Sequence, residues 1–139
     1  MDGYFFEDLS VGQSASFGKT ITEADILLFA GVSGDTNPVH INAEVAAASM
    51  FKERIAHGML SASLISTVLG TRLPGAGTIY LGQNLKFRAP VKIGETVTAT
   101  VTVTALDAAK KRVTLSTICT VAGKAVIDGE ATVMVPSRA

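Results

Sequence analysis

From Thr96 to Ala105 the chain alternates without a break. Val97, Ala99, Val101 and Val103 fall on one side, and Thr96, Thr98, Thr100, Thr102 and Thr104 fall on the other. A period of two belongs to a strand with one face in a core and the other toward water. Two similar runs follow. Arg112 to Val121 puts Val113, Leu115, Thr117, Cys119 and Val121 on one side, and Ala125 to Val135 reads as the next strand. The short turns between these three make them antiparallel neighbours. Thr78 to Phe87 and Gln13 to Ile21 add two further strands.

The front half reads as helical. Thr22-Glu-Ala-Asp25 is a helix start, with Thr22 as N-cap and acids in the first turn, and the helix ends near Gly31 to Gly34. Asp35 to Val39 reads as a loop, because Asn37 and Pro38 are turn residues and proline disfavours helix just before it. Ala43 to Met50 is a short alanine-rich helix. Gly58 to Leu69 differs from these. Met59, Leu60, Ala62, Leu64, Ile65, Val68 and Leu69 cover most of its circumference, which predicts a buried helix. The sum is an α+β fold, an antiparallel sheet with one apolar helix against it.

At 139 residues the chain reads as one domain, residues 1–139, able to bury a core without staples. It is 47% hydrophobic and 17% charged, so part of its apolar surface is expected to meet a second subunit. Twelve basic and twelve acidic residues balance, which leaves no footprint for nucleic acid or an anionic membrane. Cys119 is alone, so it forms no internal disulfide and reads as a core thiol. Met1 to Leu9 is acidic and lacks the apolar run of a signal peptide. Met59 to Leu69 is too short to span a bilayer. The expected location is the cytoplasm.

The segment richest in chemistry is Phe29-Ala-Gly-Val-Ser-Gly-Asp-Thr-Asn-Pro-Val-His40. Asp35 and His40 are five apart. On a straight helix they would face different ways, but across an Asn37-Pro38 turn they can converge. A carboxylate and an imidazole sharing one water suit proton transfer near neutral pH. The other reading of the spacing is a plain turn capped by Asp35. A second constellation, Ile55-Ala-His-Gly-Met59, opens the apolar helix. Its first amides lack internal partners, and Gly58 carries no side chain to keep a substrate oxygen away. On the residues alone, an ordinary helix start is the better reading. His57 reads as structural, hydrogen-bonded near the helix start, and a metal held by Asp35, His40 and His57 is not expected. Ser66 either bonds back to a helix carbonyl or lines a pocket.

The run from Phe29 to His40, with Ala46 further on, resembles the hydratase-2 signature of MaoC-like (R)-specific enoyl-CoA hydratases. The resemblance extends through Tyr4-Phe-Phe-Glu-Asp-Leu9, Ala56-His-Gly-Met59, Leu73-Pro-Gly75, Gln83-Asn-Leu-Lys-Phe87 and Pro90-Val-x-x-Gly-Glu95, about residues 4 to 135. The length is similar to that of PhaJ-like single-domain members that feed polyhydroxyalkanoate synthesis. The resemblance implies a hotdog fold, a sheet wrapped around a central helix, and a homodimer with its active site at the interface. It implies a trans-2-enoyl-CoA thioester as substrate and no cofactor. By motif, Asp35 and His40 would be the catalytic dyad and Gly58 the oxyanion amide. Asn37 would brace the dyad loop and Ser66 would line the acyl pocket. Leu69, one turn beyond Ser66, would then close that pocket and favour short chains. Two alternatives share the fold: a dehydratase acting on acyl carrier protein thioesters, and an acyl-CoA thioesterase. Lys86, Arg88, Lys92 and Lys110-Lys111-Arg112 could meet either a carrier protein or the CoA phosphates.

Overall fold

The computed structural model describes residues 2–138. The alternating runs become five strands: β1 (Ser14–Thr20), β2 (Ile79–Phe87), β3 (Thr96–Asp107), β4 (Arg112–Val121) and β5 (Lys124–Met134). They form one antiparallel sheet in the order β1-β3-β4-β5-β2. The register keeps like with like. Ala99 faces Cys119, Val101 faces Thr117 and Val103 faces Leu115, and all six are buried. A one-residue slip would turn the threonine face of β3 into the core. β3 runs two residues beyond the expected Ala105, past a register shift between Val103 and Ala105.

Among the described residues, four α-helices lie between β1 and β2: α1 (Glu23–Ser33), α2 (Pro38–Ile41), α3 (Ala43–Ala48) and α4 (Gly58–Thr71). α1 starts as expected. Thr22 Oγ1 accepts from the Asp25 amide at 3.2 Å, and Asp25 Oδ2 accepts from the Thr22 amide at 2.8 Å, a reciprocal capping box. It ends at Gly34, whose φ of 78° is the left-handed cap that glycine adopts without Cβ strain. The expected loop from Asp35 to Val39 is shorter than read. Pro38 occupies the first position of α2, where its missing N–H costs nothing, and the Asn37 side chain caps the Val39 amide.

α4 lies against the inner face of β1, β3 and β4. Leu64, Ile65, Val68 and Leu69 join Val97, Val101, Leu115 and Val133 in one core shared by sheet and helix. This arrangement is the hotdog fold. Cys119 sits in that core, its thiol pushed up to about 11 by burial. Its composition predicted a helix buried almost all round, and here the structure differs. Met59, Ser63, Ser66 and Gly70 are exposed along one face, because the sheet closes over the other side only. No helix among the described residues is long and apolar enough to cross a membrane.

Candidate active site

The loop between α1 and α2 is a relay of side-chain caps. Ser33 Oγ accepts from the Asp35 amide at 3.1 Å, Asp35 Oδ1 accepts from the Asn37 amide at 3.2 Å, and Asn37 Oδ1 accepts from the Val39 amide at 3.1 Å. Each cap satisfies an amide that no helix serves. The result is a tight reversal that brings His40, on α2, back toward Asp35. One ligating atom from each of Asp35, His40 and His57 lies within 4.8 Å of the others. Asp35 is exposed, whereas both histidines are buried.

The segment Arg54-Ile55-Ala56-His57 runs beside this loop as a strap. His40 Nδ1 lies 2.8 Å from the Ile55 carbonyl oxygen. A carbonyl only accepts, so this partner assigns the ring proton to Nδ1 and leaves Nε2 with a free lone pair. Arg54 Nε donates to the His40 carbonyl at 2.7 Å, and its Nη1 donates to both Glu23 carboxylate oxygens at 2.9 and 2.7 Å. The Ala56 amide donates to the Val91 carbonyl at 2.7 Å, which pins the strap to the chain after β2. His57 Nε2 lies 2.8 Å from the Asp35 carbonyl oxygen, and the two imidazoles stack with centroids 3.9 Å apart.

These groups open onto a cavity of about 570 Å³, whose wall includes Asp35, His40, Gly58, Met59, Phe87 and Arg88. Gly58 is the first residue of α4, so its N–H has no intrahelical acceptor and stands at the positive end of the helix dipole. A Cβ at Gly58 would lie 2.6 Å from Phe87 Cε1 and 2.7 Å from Cδ1. A side chain at Gly58 would therefore have to displace the Phe87 ring, which is half exposed. A second cavity of about 430 Å³ lies further along α4, between Phe29, Met59, Ser66, Tyr80 and Gln83. Met59 borders both cavities. The Tyr80 hydroxyl donates to Gln83 Oε1, and Gln83 Nε2 donates to the buried Thr117 hydroxyl at 2.9 Å.

The residues singled out from sequence divide accordingly. Asp35, His40 and Gly58 share the first cavity, and Ser66 lines the second. Asn37 lines neither and acts as a cap that braces the loop. Leu69 requires a correction. It is 1% exposed, belongs to the core and borders neither cavity, because it faces the sheet while Ser66 faces outward. Arg54, Phe87, Tyr80 and Gln83 were not anticipated. Phe87 and Gln83 lie within a recognisable motif, but nothing in their spacing assigns them a place, and Arg54 carries no local signal at all.

Asp35, His40 and His57 come close enough to suggest a metal, yet their donors do not converge well. The ring planes of His40 and His57 are only 27° apart, so their in-plane lone pairs run side by side, and one nitrogen of each already serves a carbonyl. A tetrahedral ion needs donors aimed at one point. The arrangement suits a water held between the Asp35 carboxylate and His40 Nε2.

The MaoC like domain family matches residues 8–129. An (R)-specific enoyl-CoA hydratase of Rhodospirillum rubrum is 67% identical over 97% of this chain and 94% of its own length. A 3-hydroxybutyryl-CoA dehydratase of Methylorubrum extorquens is 47% identical over 96% of this chain and 85% of its own. Among solved structures, R-hydratase PhaJ1 from Pseudomonas aeruginosa superposes with a TM-score of 0.93 at 50% identity, covering 98% of this chain and 88% of that one. The (R)-hydratase from A. caviae involved in PHA biosynthesis gives 0.91 at 46% identity, covering 94% and 99%.

Proposed function

We propose, from the premise that the chain belongs to the MaoC like domain family, that it adds water to trans-2-enoyl-CoA thioesters to give (3R)-3-hydroxyacyl-CoA. The observation that carries this reading is the meeting of the Asp35 carboxylate and the His40 imidazole on the cavity that Gly58, the first residue of α4, also lines.

The thioester carbonyl conjugates with the C2=C3 bond and makes C3 electrophilic. One water donates its two hydrogens to Asp35 and to the free His40 Nε2, which turns its oxygen lone pair toward C3. As the O–C3 bond forms, one water proton passes to the pair and the C2=C3 electrons move toward the thioester oxygen. The Gly58 N–H stabilises that oxyanion, the kind of donor typically worth roughly 2.7–4 kcal/mol. The enolate then collapses and C2 takes a proton back from the pair. Attack and protonation from one side give syn addition. No step calls for a metal or organic cofactor.

Asp35→Asn and His40→Gln are each expected to lower kcat by about 10²–10⁴-fold, the scale of a single acid–base group. Chiral analysis of the product should give the (3R) alcohol. Near-normal turnover in either variant, or a (3S) product, would remove the proposal.

The same reading includes a homodimer. β2 is an edge strand, and Ile79, Tyr80 and Leu81 on it are all exposed. An unpaired apolar edge is a template for a second chain. The second cavity, bounded by Tyr80, Gln83 and Leu85 of that strand, would be closed by such a partner. Sedimentation at micromolar concentration should give a dimer, and a fully active monomer would refute it. The one-domain organisation and the cytoplasmic setting belong to this proposal as well.

A further inference from the structure

His57 is the buried group that the hydration chemistry leaves unused. It is 1% exposed and touches both members of the dyad. Its Nε2 lies 2.8 Å from the Asp35 carbonyl oxygen, and its ring lies over that of His40 with planes 27° apart. Phe29 packs against the same ring at 4.9 Å between centroids. The proton on His57 can be placed from these partners. A carbonyl oxygen only accepts, while the buried Nδ1 has no partner among the described residues to donate to. The ring therefore carries its hydrogen on Nε2, the opposite tautomer to His40.

That hydrogen bond lands where the backbone most needs it. Asp35 follows the left-handed Gly34; the Gly34 and Asn37 carbonyls on either side accept from the Thr36 and His40 amides, and the Asp35 carbonyl has the His57 ring as its partner. The peptide plane after Asp35 helps to set where its carboxylate points. His57 is also the N-cap of α4, directly before Gly58. One side chain thus ties the loop that holds the water to the helix end that faces the thioester oxygen.

We infer that His57 is a positioning residue of the hydration reaction: its Nε2–H holds the Asp35 peptide so that the Asp35 carboxylate, His40 Nε2 and the Gly58 amide keep their spacing. The inference rests on the dyad reading above. A displacement of about 1 Å at reacting groups costs on the order of 10²-fold in rate.

Two variants separate the donor from the ring. His57→Phe keeps a flat ring to stack on His40 and removes the N–H, whereas His57→Gln keeps an N–H and removes the ring. With crotonyl-CoA, His57→Phe should lose about 10²-fold in kcat with KM little changed, and His57→Gln should recover roughly tenfold of that loss. A merely structural histidine would lower the melting temperature in both variants and leave kcat per folded enzyme unchanged. That result, or a His57→Gln variant no faster than His57→Phe, overturns the inference. Should a variant fail to fold, the wild-type protein decides, because the chain has only two histidines. Imidazole ¹⁵N spectra should show an Nε2–H tautomer for one ring and an Nδ1–H tautomer for the other, assigned with His40→Gln. An Nδ1–H tautomer at His57 refutes the inference by itself. Full turnover in Asp35→Asn would instead mark failure of the dyad reading, whatever tautomer His57 shows.

Discussion

Gly58→Ala adds one methyl group at the point where the catalytic reading is most exposed. The new Cβ would stand 2.6 and 2.7 Å from two ring carbons of Phe87. Carbon atoms prefer about 3.5–4.0 Å, so the ring must retreat by about 1 Å. Phe87 is 54% exposed and can swing without disturbing the core. The backbone at Gly58 is not left-handed, so alanine brings no torsional strain there. The stability change should therefore stay within about 1 kcal/mol, as for most changes that leave the core intact. The effect on rate should be far larger. The methyl sits beside the N–H that would meet the thioester oxygen, and losing such a donor costs about 10²–10³-fold in kcat. Initial rates with crotonyl-CoA, read beside a thermal melt, test both halves. Combining Gly58→Ala with Phe87→Leu relieves the clash, and it should restore only part of the rate because the methyl still shields the amide. Full recovery would assign the loss to the displaced ring instead. A Gly58→Ala enzyme within twofold of wild type would refute the oxyanion role.

Leu69→Ala should cost about 2–5 kcal/mol, as for a buried leucine, and leave the ratio of kcat/KM for crotonyl-CoA and octenoyl-CoA unchanged; a shift of that ratio toward the longer chain would reinstate Leu69 as a pocket wall. The Lys19 ammonium, 2.6 Å away, and the Thr22 amide hold the Asp25 carboxyl below the usual carboxylate range. A depressed folded value means stability that is present above the unfolded value of about 3.9 and lost as pH falls through the folded one. Asp25→Asn should thus melt lower than wild type near pH 7, and the gap should close under acid; a gap that stays constant down to about pH 2 would deny the linkage.

The strands were legible because a period of two survives any context, and Arg112–Val121 is bounded as its pattern predicts. Their order was less so. That β2, second in sequence among the strands but last in space, closes the sheet beside β5 depends on pairing across forty or more residues, which no local pattern carries. The site shows the same division. The Asp35–His40 spacing announced a turn, and the caps on the Asp35, Asn37 and Val39 amides explain how the turn is made. Arg54 and His57 hold that turn from a strap fourteen or more residues away, so their part was visible only in three dimensions.

α4 is the instructive case. Positions 59, 63, 66 and 70 fall within about 60° of one another at 3.6 residues per turn, and Leu69 lies about a quarter turn from them. The outward stripe was hidden in the sequence because Met59 is apolar and Ser63, Ser66 and Gly70 are small, so the helix read as buried throughout. A helix exposed only to water would carry charges on that stripe. This one carries none, and the stripe borders the two cavities through Met59, Ser63 and Ser66. The helix thus has two different neighbours, a protein core on one face and a cavity on the other. Placing Leu69 in the pocket merged the two faces, since a residue three positions from Ser66 can share its neighbourhood and still turn toward the sheet.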